Sequence, residues 1–99
     1  MFVAHSRFTV ANQMIEEVKQ AFRDRPRLVE QVPGFVRLDV ISPLENPAEI
    51  WLITYWDDEE SFTKWRRSHR FRESHTGIPK GLKLVPKSVR LHRFEHVSA

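Results

Sequence analysis

The side chains best suited to chemistry lie close together in residues 56–75, WDDEESFTKWRRSHRFRESH. Phe62 and Trp65 stand three positions apart, and Phe71 and His75 stand four positions apart in a second short helical pattern. Residues at these spacings share one face of a helix, so an indole, a phenyl ring and an imidazole can converge on one cavity. Aromatic residues at helical spacing are also typical of an ordinary core, and a single histidine at a helix end is typical of a surface position. Spacing alone therefore leaves both interpretations open.

The same stretch predicts where its helix begins. Asp57 can accept hydrogen bonds from free backbone N–H groups of the first turn, and Glu60 three residues later completes a capping box. Acidic side chains are also favourable near the positive N-terminal end of a helix dipole. The residues therefore predict a helix with Asp57 as its N-cap and with Phe62 and Trp65 on its apolar stripe.

Alternation and helical spacing predict six elements in the order β-α-β-β-α-β, which is the split βαβ, or ferredoxin-like, unit of an α+β domain. The change of parity between Leu91 and Phe94 further predicts either a bulge in the last strand or two partners along its length. Pro33 and Gly34 end the first helical region. The predicted elements are a strand over 2–10, a helix capped by Asn12 and interrupted at Pro26, strands over 35–42 and 49–56, a helix from Asp57, and a strand over 89–97.

The third strand is apolar on both faces. Ile50, Leu52, Thr54 and Trp56 alternate with Trp51, Ile53 and Tyr55. A strand of this composition is expected to be buried on both sides. A chain of 99 residues needs a partner to achieve that, so the pattern predicts a homodimer.

The composition is typical of one globular domain spanning residues 1–99, with 40% hydrophobic and 29% charged residues. There is no cysteine, and no apolar run approaches the roughly 20 residues that span a bilayer. The first ten residues alternate like a strand and lack the pattern of a signal peptide. A net charge of +3, with no recognised nucleic-acid motif, does not favour nucleic-acid binding. We expect a cytoplasmic protein that binds neither membranes nor nucleic acids.

The pattern F-x-x-W-x-x-S-x-x-F-x-x-x-H, formed by Phe62, Trp65, Ser68, Phe71 and His75, resembles the IsdG-type haem-degrading monooxygenases. These proteins are a branch of the antibiotic biosynthesis monooxygenase (ABM) superfamily. The likeness covers almost the whole chain, including the opening FVAHSRFTV, the P-G-F of residues 33–35 and the stretch ITYWDDEESFTKW. The resemblance implies a homodimeric α+β barrel built from ferredoxin-like units.

The resemblance also implies roles for individual residues. The histidine at the His75 position is the axial ligand of the haem iron in that branch, and the tryptophan at the Trp65 position lies against the porphyrin. Phe71 would help to exclude water. Cationic side chains would pair with the haem propionates, the candidates being Arg66, Arg70 and Lys80. The implied reaction opens the porphyrin with O2 and an external electron donor, with a reductase as a possible partner, so that haem is both cofactor and substrate.

One residue departs from the family pattern. The family has an asparagine on the first strand, whose amide donates a hydrogen bond beside the iron, and the aligned residue here is Ser6. A hydroxyl is also a donor but has a shorter reach, so we expect haem binding to be retained and turnover or products to change. His5 should point to the opposite face of the strand. The other histidines are predicted to be surface residues, namely His5, His69, His92 and His96.

Two alternatives to haem degradation stay open at the level of sequence. The first is a cofactor-independent ABM oxygenase of a small aromatic compound or quinol, in which His75 serves as an acid or base or has no role. The second is a non-catalytic dimeric binding module that keeps only the fold.

Overall fold

The computed structural model describes residues 1–68, 71 and 78–99. Its elements follow the order predicted from the alternation pattern and confirm the α+β, ferredoxin-like architecture. They are strand β1 (Phe2–Thr9), helix α1 (Ile15–Arg23), a 3-10 turn (Val29–Gln31), strand β2 (Phe35–Ile41), strand β3 (Glu49–Trp56), helix α2 (Glu59–Arg67) and strand β4 (Arg90–Glu95). Among the described residues, no helix is long and apolar enough to cross a membrane.

The four strands form one sheet in the order β2-β3-β1-β4. β1 lies in the middle and pairs antiparallel with both β3 and β4, so that Ser6 stands opposite Leu52 on one side and Leu91 on the other. Phe2 contacts Phe62 of α2, and Phe8 contacts Phe22 of α1. Because these rings lie on the same face of β1 as Ser6, that face is the one covered by the helices.

The helix-covered face carries two separate hydrophobic clusters. The first cluster contains Ala4, Val29, Trp56, Phe62 and Trp65, with Phe2, Leu28, Val32, Phe35, Leu38, Phe71 and Leu91 packed against it. The second cluster contains Val10, Val18 and Ile50, with Phe8, Ile15, Phe22, Leu52, Leu82 and Leu84 packed against it. Along β1 the two clusters are separated at Ser6, between Ala4 and Phe8. We call this boundary the seam.

The opposite face of the sheet carries no helix within the described residues. Its centre is aromatic and aliphatic, with half-buried Trp51, Ile53 and Tyr55 of β3 beside Val3 and His5 of β1. This confirms that both faces of β3 are rich in apolar groups. We refer to the sheet face opposite the helices as the open face.

Both predicted helix N-caps were wrong. The N-cap of α2 is Asp58, whose carboxylate accepts a hydrogen bond from the backbone N–H of Ser61 at 2.8 Å. Asp57 lies one position earlier, where its backbone N–H donates to the Gly34 carbonyl at 2.8 Å and holds it against the turn before β2. α1 is preceded by Met14 rather than by Asn12, whose side-chain amide donates instead to the Gly81 carbonyl at 2.9 Å.

The predicted bulge in the last strand is also absent. β4 pairs in regular register with β1 from Phe94 through to Leu91, which therefore lie on opposite faces of the sheet. The change of parity reflects a strand with apolar groups on both faces. The irregularity lies instead in β2, between Phe35 and Arg37. β1 ends at Thr9 and β4 spans Arg90–Glu95, both shorter than predicted.

Candidate functional site

Ser6 occupies the polar position of an otherwise apolar surface. It is half-buried, and its cross-strand neighbours Leu52 and Leu91 belong to different hydrophobic clusters. The alternation of β1 directs its side chain to the helix-covered face, as predicted, and His5 to the open face. The Ser6 hydroxyl therefore lies at the seam, with apolar cross-strand neighbours on both sides.

Trp65 and Phe71 form an aromatic pair at the C-terminal end of α2. Their ring centroids are 5.7 Å apart with planes at 85°, which is the edge-to-face geometry that aromatic quadrupoles favour. Ser68 is hydrogen-bonded to both residues. Its hydroxyl donates to the Trp65 carbonyl at 2.7 Å and accepts from the Phe71 N–H at 3.2 Å. Ser68 thus follows the last residue of α2, and most of the second short helical pattern predicted after it lies outside the described residues.

Trp65 is 7% exposed and belongs to the first cluster, so it is a core residue in this chain. This agrees with the interpretation that aromatic residues at this helical spacing belong to an ordinary core. The Phe71 ring packs edge-to-face against the indole, and Val29 belongs to the same buried cluster.

Arg66 lies on the flank of α2, away from the aromatic pair. It is exposed, and its guanidinium carbon is 5.9 Å from the centre of the Phe62 ring. With Arg67 and Arg93 it lines an open cleft of about 320 Å³ that Phe62 and Thr63 complete. Three cationic groups make this cleft suited to an anionic group, although one of them, Arg93, also lies 3.8 Å from the Glu59 carboxylate.

The predicted iron ligand, His75, lies outside the described residues, as do Arg70 and His69. Its role stays a prediction. Of the remaining candidates, Ser6, Trp65 and Phe71 lie on the helix-covered side of the sheet, whereas Arg66 lies on an exposed flank. Lys80 is exposed in the loop before β4. Groups of three or more potential metal ligands are absent from the part of the chain that the structure describes.

Arg25 is a candidate that the sequence analysis missed. Its side chain is only 17% exposed, and its Nη2 donates to the Glu30 carboxylate at 3.0 Å. The other terminal nitrogen, Nη1, is buried and has no hydrogen-bond partner among the described residues. Nothing in the run RDRPR distinguishes this arginine from its exposed neighbours, so the sequence contains no signal that would have found it.

His5 was predicted to be a surface residue, but it is half-buried on the open face. Its ring lies 4.7 Å from the Trp51 ring and 6.2 Å from the His92 ring, centroid to centroid. Burial, followed by the positive charge of Arg7, lowers the pKa of His5 below its ordinary value. The neutral imidazole is therefore the favoured form at neutral pH.

The four-stranded antiparallel sheet covered by two helices on one face defines a small ferredoxin-like α+β domain. The model of the antibiotic biosynthesis monooxygenase family matches residues 1–77. The chain belongs to this family, which confirms the resemblance inferred from its motifs.

Individual relatives include both haem-dependent and haem-independent proteins. The heme oxygenase (staphylobilin-producing) of Staphylococcus saprophyticus is 27% identical over 82 residues, which cover 81% of this chain and 78% of that protein. The heme-degrader MhuD of Mycobacterium tuberculosis, solved with two hemes bound in its active site, matches with a TM-score of 0.80 at 22% identity. The match covers 100% of this chain and 98% of the MhuD chain. SnoaB, a cofactor-independent oxygenase of Streptomyces nogalater, matches with a TM-score of 0.76 at 19% identity, over 99% of this chain and 94% of the SnoaB chain. The structural likenesses support the fold alone.

Proposed function

We propose that this chain is a haem-binding monooxygenase that degrades haem with O2 and an external electron donor, and that it acts as a homodimer. The observation that carries the proposal is the Trp65–Phe71 pair, which Ser68 fixes at the head of the segment containing His75. The identity to a staphylobilin-producing heme oxygenase supports the same chemistry. We also propose that the protein is cytoplasmic, as predicted from the sequence.

The side chains around the seam fit a flat, largely apolar ligand with charged edges. The two hydrophobic clusters supply apolar and aromatic surface on both sides of Ser6. A buried guanidinium nitrogen of Arg25, unpaired among the described residues, lies in the loop that connects the two clusters. Such a combination of apolar walls with few polar groups is typical of cofactor sites.

Each residue has a defined task in this proposal. The neutral imidazole of His75 binds the iron, Trp65 and Phe71 pack against the ring system and exclude water, and the Ser6 hydroxyl donates a hydrogen bond at the seam. When bound, the haem supplies both the iron that activates O2 and the ring that is opened. Because a hydroxyl reaches less far than an amide, Ser6 is expected to affect turnover more than binding.

Homodimerisation is the part of the proposal that concerns the open face. Trp51, Ile53 and Tyr55 are half-buried in the single chain, and packing against a second sheet would remove the rest of their surface from water. Ile53 lies at the centre, opposite His5 in β1 and Asp39 in β2. We expect Ile53→Asp to be monomeric in analytical ultracentrifugation while the wild type is dimeric. A monomeric wild type, or a dimeric Ile53→Asp, would contradict the assignment of this face.

The test of the haem proposal is a haemin titration of the wild type, His75→Ala and the matched control His92→Ala, followed by absorbance. His92 is an exposed histidine on β4 that lies beside His5 on the open face, so its loss should leave haemin binding unchanged provided that ultracentrifugation shows the variant to be as dimeric as the wild type. We expect a saturable Soret band at one haem per chain in the wild type and in His92→Ala, and a lost or shifted band in His75→Ala.

Adding ascorbate in air to the loaded protein then tests turnover. Bleaching of the Soret band into a bilin-like product is expected, and Ser6→Asn should change its rate or product without changing haemin affinity. If haemin binds weakly and equally to the wild type and His75→Ala, the haem proposal fails.

The cofactor-independent oxygenase is the second candidate, because SnoaB, which shares this fold, is a cofactor-independent oxygenase and one fold can carry several functions. In that case quinols or polycyclic phenols would be consumed with O2 in the absence of haemin. A protein that binds neither class of compound would be a non-catalytic module.

A further inference from the structure

His5 and His92 form a cross-strand pair of imidazoles on the open face. The two residues stand directly opposite each other where β1 and β4 pair, and their ring centroids are 6.2 Å apart. His5 is half-buried in the single chain, whereas His92 is exposed. The Phe94 ring lies 6.3 Å from the His5 ring and 6.4 Å from the His92 ring. The pair is therefore part of the aromatic surface of the open face.

The charged side chains closest to this pair in the sheet are mostly cationic. Arg7 and Arg90 form the next cross-strand pair on the same face, two positions along β1 and β4. Glu49 of β3 is the acidic group whose charge acts on His5. Its carboxylate is already used, because it lies 3.7 Å from the Arg7 guanidinium and accepts from Trp51 Nε1 at 2.7 Å. A proton on His5 would therefore meet cations on β1 and β4 and a carboxylate that is already paired.

The other ionisable side chains of the open face, within the described residues, do not offset such a charge. Asp39 of β2 is separated from His5 by β3, which places it about 10 Å away by the spacing of strands. It is also paired with Arg37, at 2.6 Å. The same Arg37 guanidinium lies 5.0 Å from the centre of the Tyr55 ring on β3. The β2 side of the face thus has its own charge pair and supplies no free carboxylate to the histidines.

The surroundings of His5 already favour its neutral form. Its Nε2 is buried and has no hydrogen-bond partner in residues 1–68, 71 and 78–99. Burial, then the charge of Arg7 and then that of His92, lowers the pKa of His5. A second sheet packed on the open face would remove the rest of both imidazoles from water and bring no unpaired acid of this chain with it. Protonation of the pair would therefore cost more free energy in the dimer than in the separate chains.

We propose that the His5–His92 pair is a pH-sensitive switch for the association of two copies of this chain through their open faces. The dimer forms while the imidazoles are neutral and dissociates when they are protonated. The inference rests on the homodimer of the proposed function. In a twofold-symmetric dimer the same patch of both copies lies in one interface, so acid charges the imidazole pairs of both chains together. Each proton that association must release changes the dissociation constant of the dimer by up to about tenfold per pH unit.

The test is sedimentation-velocity ultracentrifugation over a range of chain concentrations at pH 7.5 and pH 5.0. EDTA is present so that no metal ion bridges histidines. For the wild type we expect the dissociation constant of the dimer to be about tenfold or more higher at pH 5.0. The double variant His5→Phe/His92→Phe keeps two aromatic rings that cannot titrate, so it should be equally dimeric at both pH values.

His96→Phe is the matched control for the loss of a histidine. His96 follows β4 and lies four positions from His92, which is about 13 Å by strand rise. Its backbone N–H donates to the Met1 carbonyl, a bond that the substitution leaves in place. We expect His96→Phe to keep the pH dependence of the wild type.

His92→Lys tests the same inference without acid. Its ammonium group places a permanent positive charge beside His5 at pH 7.5, whereas His92→Gln is uncharged there. We expect the dimer of His92→Lys to dissociate about tenfold or more readily than that of His92→Gln, because like charges would meet in the interface. Circular dichroism shows whether each protein is folded at each pH. If the wild type unfolds at pH 5.0, this pair of variants decides the question.

The outcomes separate this inference from the proposed homodimer. A wild type that is equally dimeric at both pH values would show that the pair is not a switch. So would a double variant that dissociates in acid as the wild type does, or a His92→Lys dimer as tight as that of His92→Gln. Loss of the pH dependence in His96→Phe would also contradict the assignment to His5 and His92. If the wild type is monomeric at pH 7.5, the homodimer proposal fails and the switch fails with it.

Discussion

Gly34 allows the sharpest test of how α2, and with it Trp65, is positioned. Its φ is +87°, a left-handed conformation that residues with a Cβ adopt at a cost of about 1–2 kcal/mol. A Cβ added there would lie 2.6 Å from the Ser61 Cβ on the first turn of α2. The backbone cannot readily shift, because the Gly34 carbonyl accepts from Asp57 N–H at 2.8 Å. Overpacking adds about 1–3 kcal/mol, so Gly34→Ala should destabilise the protein by about 2–5 kcal/mol.

Gly81→Ala is the matched control for the backbone contribution. Gly81 has φ of +82°, but a Cβ there would meet only Met14 Sδ at 3.9 Å, an ordinary contact. Both substitutions restrict the unfolded chain equally, so the difference between them isolates the steric clash with Ser61. Combining Gly34→Ala with Ser61→Gly removes the opposing Cβ and should recover most of that difference.

The assay is urea unfolding followed by tryptophan fluorescence, at one fixed chain concentration because a dimer's stability depends on it. Gly34→Ala should lose about 1–3 kcal/mol more than Gly81→Ala. Equal losses for the two variants, or a double variant no more stable than Gly34→Ala alone, would refute the close approach of β2 to α2.

Three further predictions concern the cap, the open face and the core. Asp58→Ala should cost about 1 kcal/mol in urea unfolding because an N–H of α2 loses its acceptor, and Asp58→Asn should retain most of the stability; equal losses would contradict the cap. Because the pKa of His5 is lowered on folding, the unfolded chain binds more protons than the folded chain below about pH 6.5. The stability that neutral His5 contributes is therefore complete above about pH 6.5 and is lost as the pH falls below that value. The urea midpoint should therefore fall less between pH 7 and pH 5 in His5→Phe, whose side chain at position 5 cannot titrate, than in the wild type. An equal fall in the two proteins would show that His5 does not cause it. Trp65→Ala should lose about 3–5 kcal/mol as a buried core residue, whereas Trp65→Phe should remain folded and suited to haemin titration; a loss below about 1 kcal/mol for Trp65→Ala would place the indole outside the core.

The elements were predictable because their signals are local. The period-two alternation of β1 and β3 and the proline and glycine before β2 each concern residues within a few positions of one another. The same holds for the Trp65–Phe71 pair, since Ser68 makes its two hydrogen bonds to residues three positions away.

The errors arose where a distant residue decided the outcome. Asp57 and Asp58 are equally good N-caps by type, and the choice depends on the hydrogen bond between Asp57 and Gly34 in another element. Asn12 is likewise a good cap by type, but its amide is used by Gly81, which is 69 positions away. Local propensity does not contain this information.

By itself, the sequence determined the order of the elements, the ferredoxin-like α+β class, the membership of the ABM family and the aromatic spacing around Trp65. These features depend on periodicity and on short motifs, which can be recognised without knowing what each face packs against. Only the tertiary structure decided that Ser6 lies between two hydrophobic clusters, that His5 packs beside Trp51, and that one buried nitrogen of Arg25 has no partner among the described residues. Burial and hydrogen-bond satisfaction depend on which distant side chains meet, and an arginine in a polar run looks the same in sequence whether it faces water or a binding site.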